Sequence, residues 1–108
     1  MYFYKTKDRQ EKQLLPGVKV RTFWGENLLT SVVEFEANAT IPSHSHPHEQ
    51  ITYLLEGDLE ANIAGEIRQM QAGDLMVIPG GVEHFVKVGP KAARALDVFN
   101  PVREDLKY

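Results

Sequence analysis

Four histidines occur in this 108-residue chain, and three of them, His44, His46 and His48, fall within five positions. In an extended strand, side chains two residues apart point to the same face, so His44, His46 and Gln50 share one side. The same alternation turns Glu49 to the opposite face. Pro47 interrupts the ladder and predicts a short bend before Gln50, which leaves the direction of His48 open. The fourth histidine ends the run Pro79-Gly80-Gly81-Val82-Glu83-His84, where it opens a new strand just after a tight turn. A fold that lays this strand beside the first brings His84 to the same point. Three neutral imidazoles and one oxygen suit a borderline divalent transition metal and leave coordination positions open, as a catalytic site requires. Nickel, manganese, iron, cobalt and zinc all accept such a set. Spacing alone equally permits a solvated histidine loop and a hydrogen-bonded His84.

Further along, Ala95, Asp97 and Phe99 alternate with Leu96 and Val98, and Arg103 follows. A carboxylate between a small residue and an aromatic on a half-apolar strand finds a partner or shifts its pKa upward, because an unpaired buried aspartate is costly. Asp97 is therefore one of two things. It is a structural group, capped by backbone amides or paired with Arg94 or Arg103, or it is a general base or acid facing a metal cavity.

The elements that must position these residues read as β-structure. Segments rich in Val, Ile, Leu, Phe and Tyr predict strands at Val18–Trp24, Leu28–Glu36, Gln50–Glu56, Leu59–Ile63, Glu66–Met70, Leu75–Ile78, His84–Val88 and Ala92–Phe99. Gly, Asn or Pro marks the turns between them, and no long stretch has an apolar period of 3.6. Many short strands at near-regular spacing predict an all-β sandwich or barrel. The length allows one compact domain, residues 1–108, that buries roughly two-thirds of its unfolded surface.

Composition removes several classes of function. There is no cysteine, so disulfide scaffolds, thiolate zinc sites, iron–sulfur clusters and cysteine nucleophiles are excluded, and any metal must take nitrogen or oxygen ligands. Net charge is −3, with the 12 basic residues scattered singly, which argues against a nucleic-acid partner. Apolar runs fall far short of the roughly 20 residues that cross a bilayer, and the first residues lack the apolar core of a signal peptide. A cytoplasmic protein is expected. Ile51, Tyr53 and Leu55 lie opposite Thr52 and Leu54 on one strand, and Met1-Tyr2-Phe3-Tyr4 is strongly aromatic. Apolar residues on both faces of a small barrel predict a homodimer.

Two motifs carry a resemblance. His44-Ser45-His46 is followed after three residues by Gln50 and after six more by Gly57, and Gly73 is followed after five by Pro79, Gly80, Gly81 and His84. Spanning 38–57 and 73–88, they resemble the two motifs of the cupin superfamily, which implies a double-stranded β-helix, or jelly-roll barrel, with a divalent metal at His44, His46, Gln50 and His84. Asn38 stands at the first motif's glycine position and Val88 at the second's final Asn. Gln50 stands where the family usually has Glu, which leaves the ion's charge uncompensated. Trp24-Gly25-Glu26-Asn27 and the run from Asp97 to Asp105 sharpen the resemblance to single-domain cupins of the KdgF type, associated with pectin and alginate breakdown. That resemblance implies conversion of cyclic 4,5-unsaturated monouronates to a linear keto form. It assigns Asp97 as base or proton relay, Arg103 as partner of the sugar carboxylate and Phe99 as a platform for the ring. Two other activities suit the same fold: metal-dependent dioxygenase or decarboxylase chemistry, and sugar binding without turnover.

Overall fold

The structure is a computed structural model that describes residues 2–108. Its ten strands are β1 (Lys12–Leu15), β2 (Val18–Trp24), β3 (Leu29–Phe35), β4 (Thr40–His44), β5 (Glu49–Glu56), β6 (Asp58–Ile63), β7 (Glu66–Gln71), β8 (Leu75–Ile78), β9 (His84–Val88) and β10 (Ala93–Asn100). Six form one antiparallel sheet in the order β1-β2-β3-β10-β5-β8, and four form a second in the order β4-β9-β6-β7. All eight expected strands are present, within a residue of their predicted ends. The sequence pattern missed β1, a short edge strand, and gave the strand that carries His44 no bounds, because β4, Thr-Ile-Pro-Ser-His, has little apolar alternation. Among the described residues, no helix is long and apolar enough to cross a membrane.

The inner face of the larger sheet is built in cross-strand rows. Val20, Val33, Ala95 and Leu54 form one row, all buried, and belong to the main core. The next row is polar: Thr22 opposes Ser31, Ser31 opposes Asp97, and Asp97 opposes Thr52. Beyond it Trp24, Leu29, Phe99 and Gln50 stand in register. Leu29 and Phe99 there join Val102 and Leu106 in a second, smaller apolar cluster, with Trp24 packed against it. The interior is thus two apolar clusters with a buried polar row between them. The outer face keeps the alternation, and Ile51, Tyr53, Leu55, Leu75 and Val77 are exposed. Tyr2 and Phe3 are almost fully exposed, while Met1 lies outside the described residues.

Two turns serve the histidine region directly. Asn38 adopts φ +63°, the left-handed turn that Asn tolerates, and starts the approach to β4. Gly80 lies against the 47–48 segment, where an added Cβ would overlap the Pro47 carbonyl oxygen, and the neighbouring Gly81 N–H donates to the His46 carbonyl at 2.8 Å. Gly80→Ala is expected to force these two loops apart and to lower the unfolding free energy by about 1–3 kcal/mol, the usual range for overpacking. Urea unfolding measures it, and a variant as stable as the wild type would show that the loops yield freely.

Candidate metal centre

β4 ends on His44 and β9 begins on His84, and the two are direct partners across the β4–β9 ladder, just after an irregularity between Ile41 and His44. His46 lies beyond the strand, in the bend that Pro47 predicts, so its convergence comes from the bend gripped by Gly81 rather than from strand alternation. The ring centroids lie 4.2 Å apart for His44 and His84, 5.0 Å for His46 and His84 and 5.8 Å for His44 and His46. Their ligand atoms fall within 4.8 Å of one another, so the three rings could hold a metal ion.

Hydrogen bonding fixes which nitrogen each ring presents. The Nδ1 atoms of His44, His46 and His84 lie 2.8, 3.0 and 2.9 Å from the carbonyl oxygens of Pro42, His48 and Val82. A carbonyl only accepts, so each Nδ1 carries the proton and each Nε2 keeps its lone pair. His84 Nε2 is buried without a partner among the described residues, and His46 Nε2 faces Gln50 Oε1 at 3.0 Å. Lone pairs gathered on one another in a buried space repel, and a cation among them reverses the sign of that interaction. The donor set therefore fits a divalent metal. Burial, the largest influence, lowers the pKa of His46 and of His84, which keeps both neutral, as ligation needs.

Gln50 is oriented by a hydrogen-bonded chain. Its Nε2 donates to Thr52 Oγ1 at 2.9 Å, and Thr52 Oγ1 donates to Asp97 Oδ1 at 2.6 Å. A hydroxyl has one hydrogen; once that goes to the carboxylate, Thr52 can only accept from Gln50. The amide nitrogen is thereby turned toward Thr52 and the amide oxygen toward the histidines. The short O–H···O contact is in the range of a charge-assisted bond.

Asp97 faces the interior, and burial pushes its pKa up to about 6 against the opposing pull of hydrogen bonds from Thr52 and Gln50 and of the Arg103 charge. Neither arginine that could have neutralised it forms an ion pair with it: Arg94 pairs with Glu34 and Arg103 with Asp105. The Arg103 guanidinium reaches Asp105 through Nε at 3.3 Å and Nη2 at 2.7 Å and lies over the Phe99 ring at 5.0 Å. Phe99 also meets His46 edge-on at 5.6 Å. One cavity is lined by His44, Gln50, His84, Asp97, Phe99 and Arg103. His48 contributes its backbone carbonyl to the His46 ring, and Glu49 is exposed on the side opposite Gln50. Thr22, Ser31 and Thr52 were not singled out from the sequence. The available signal was a small hydroxyl residue at an inward position of β2, β3 and β5.

The raised pKa of Asp97 sets a pH dependence. Folded protein holds this proton up to about pH 6, whereas a free aspartate releases it near 3.8. Between these values the folded state binds more protons, so the residue's contribution to stability falls as pH rises from about 4 to about 6 and stays low above that. His46 and His84, shifted down from 6.5, act with the opposite slope, and comparison with Asp97→Asn cancels them. In metal-free protein the variant is expected to gain stability relative to wild type across this window, by up to about 3 kcal/mol. Urea unfolding at a series of pH values checks this; a constant difference would mean that Asp97 titrates normally.

Residues 31–99 match the model of the cupin domain. The pectin degradation protein KdgF of Dickeya dadantii is 30% identical over 96 residues, covering 87% of each chain. Among solved structures, KdgF from a Halomonas species superposes with a TM-score of 0.90 at 26% identity, over 98% of both chains. An RmlC-like cupin from Shewanella frigidimarina gives a TM-score of 0.90 at 27% identity, over 97% of this chain and 95% of its own. With the two-sheet barrel and the three converging imidazoles, these matches establish that the chain belongs to the cupin family, alongside the pectin degradation protein KdgF.

Proposed function

We propose that this protein is a cytoplasmic, metal-dependent cupin that converts cyclic 4,5-unsaturated monouronates from pectin or alginate breakdown to the linear keto form. The observation that carries the proposal is a tautomer-fixed histidine triad, two members of which, His44 and His84, line one cavity with the Asp97 carboxylate and the Arg103 guanidinium. Similarity to KdgF supports the substrate class. His44, His46, His84 and the Gln50 amide oxygen would hold the ion, and nickel, manganese, iron, cobalt and zinc all suit this set. When bound, the ion supplies Lewis-acid polarisation of the sugar oxygens, undiminished by any ligand charge.

The residues do the rest. Arg103 retains donors beyond those given to Asp105 and binds the sugar's carboxylate. Phe99, beneath it, offers an apolar surface to the C–H face of the ring. Asp97 accepts the proton of the anomeric hydroxyl. The bond between C1 and the ring oxygen then breaks as C1 becomes an aldehyde. The released electron pair leaves that oxygen as the enolate of the C4–C5 double bond, and return of the proton to C4 gives the ketone. Nothing is gained or lost, so no co-reactant is needed. A carboxyl group with a pKa of about 6 takes and returns a proton effectively near neutral pH.

Elemental analysis of the purified protein, followed by loss of ultraviolet absorbance from unsaturated monouronates, tests both halves. Asp97→Asn and Arg103→Ala are expected to keep metal and fold while losing turnover by about 100-fold or more. Gln50→Ala is expected to weaken metal binding and Glu49→Ala to leave it intact; the reverse pattern would overturn the ligand assignment.

The same proposal includes a homodimer. On the outer face of the larger sheet Val77 opposes Ile51 and Ile51 opposes Val98, while Leu75 opposes Tyr53 and Tyr53 opposes Leu96. This exposed patch carries no charge, so a second copy can meet it across a two-fold axis without setting like charges together. Light scattering is expected to give twice 12.2 kDa for the wild type and the monomer mass for Tyr53→Glu combined with Val77→Glu. A monomeric wild type, or a variant that stays paired, would place the interface elsewhere.

A further inference from the structure

Three hydroxyls stand in the buried polar row, and two of them have partners. Thr22 Oγ1 donates to the Leu106 carbonyl at 2.6 Å, and Thr52 Oγ1 donates to Asp97 at 2.6 Å. The third belongs to Ser31, which is 1% exposed and whose Oγ has no hydrogen-bond partner among the described residues. A buried hydroxyl left unpaired costs about 1–3 kcal/mol, so alanine at this position would give a more stable fold. The other inward residues of β3 are Leu29, Val33 and Phe35, which shows that the strand has no general need for polarity here.

Position explains what folding does not. Ser31 is the direct cross-strand partner of Asp97, and both line the cavity that His84 and Arg103 also line. Directly opposed residues hold their Cβ atoms about 4.5–5.5 Å apart, so one oxygen lodged between the two side chains reaches both. Thr52 binds Asp97 through Oδ1 from the far side, on β5, whereas Ser31 approaches from β3.

We infer that Ser31 is a substrate-positioning residue that receives the hydroxyl whose proton Asp97 takes. The Ser31 O–H donates to that hydroxyl oxygen, and a hydroxyl that accepts on one side turns its own hydrogen toward the carboxylate opposite. As C1 becomes an aldehyde, the same donor remains on the new carbonyl oxygen. The subsite recognises a ring hydroxyl, and it rests on the uronate reading given above. It uses a polar group that destabilises the empty protein and is satisfied by the ligand.

The test pairs two measurements on Ser31→Ala. Thermal unfolding of the metal-free protein is expected to give a melting temperature equal to or above that of the wild type. Metal content is expected to be unchanged, while kcat/KM for 4,5-unsaturated galacturonate falls tenfold or more. Ser31→Thr, which retains the hydroxyl, is expected to recover most of that loss. A kcat/KM within twofold of wild type overturns the inference alone. A loss of turnover that comes with a lowered melting temperature marks Ser31 as a structural hydroxyl and overturns it too. A wild-type protein without uronate turnover overturns the uronate reading, and this inference with it.

Discussion

The cross-strand pairing of His44 with His84 is the constraint on which the site depends. It places the last residue of β4 and the first of β9 opposite each other, so two imidazoles converge by backbone register alone. The third, His46, is brought in by the bend at Pro47, and that bend is held by the Gly81 amide and by the close approach of Gly80. Carbonyl groups of the same loops then fix the tautomer of every ring. Position and protonation are therefore both set by main chain, which has far less freedom than side chains reaching in from separate loops.

Across the cavity the larger sheet supplies the opposite kind of order. Its strands are apolar inward except at one level, where Thr22, Ser31, Asp97 and Thr52 align. A polar row between two apolar clusters lowers stability, since each member must find a partner or remain unsatisfied. The row orients Gln50 through Thr52 and keeps Asp97 within the interior with a raised pKa. Stability is given up at the place where chemistry needs it, and the apolar rows on either side restore it.

Much of this was legible in the sequence, for physical reasons. Strand alternation separated Gln50 from Glu49 and put Asp97 and Phe99 on one face, because a period of two survives in any β-strand. Pro47 and Pro79-Gly80-Gly81 announced their turns. Alternation did not apply to His46, which lies outside the strand, and the bounds of β4 were not legible because Thr40, Pro42 and Ser43 are exposed and give no apolar alternation. The polar row was beyond reach for a different reason. Each strand shows only one hydroxyl or carboxylate at an inward position within this row, and their alignment depends on β3 and β5 flanking β10, pairings between segments far apart in the chain.

The hydrogen bond from Gly81 to His46 joins the loop that carries two histidines to the turn that precedes the fourth. An ion held by these imidazoles would also tighten the contact between β4 and β9, and through them the smaller sheet. Ligand binding to the folded state alone stabilises it in proportion to the logarithm of ligand concentration over dissociation constant. Thermal resistance in this protein would then be a gauge of metal supply. A cell short of the ion would hold a looser, more protease-sensitive chain, so that abundance of the protein would follow availability of its cofactor without any dedicated regulator.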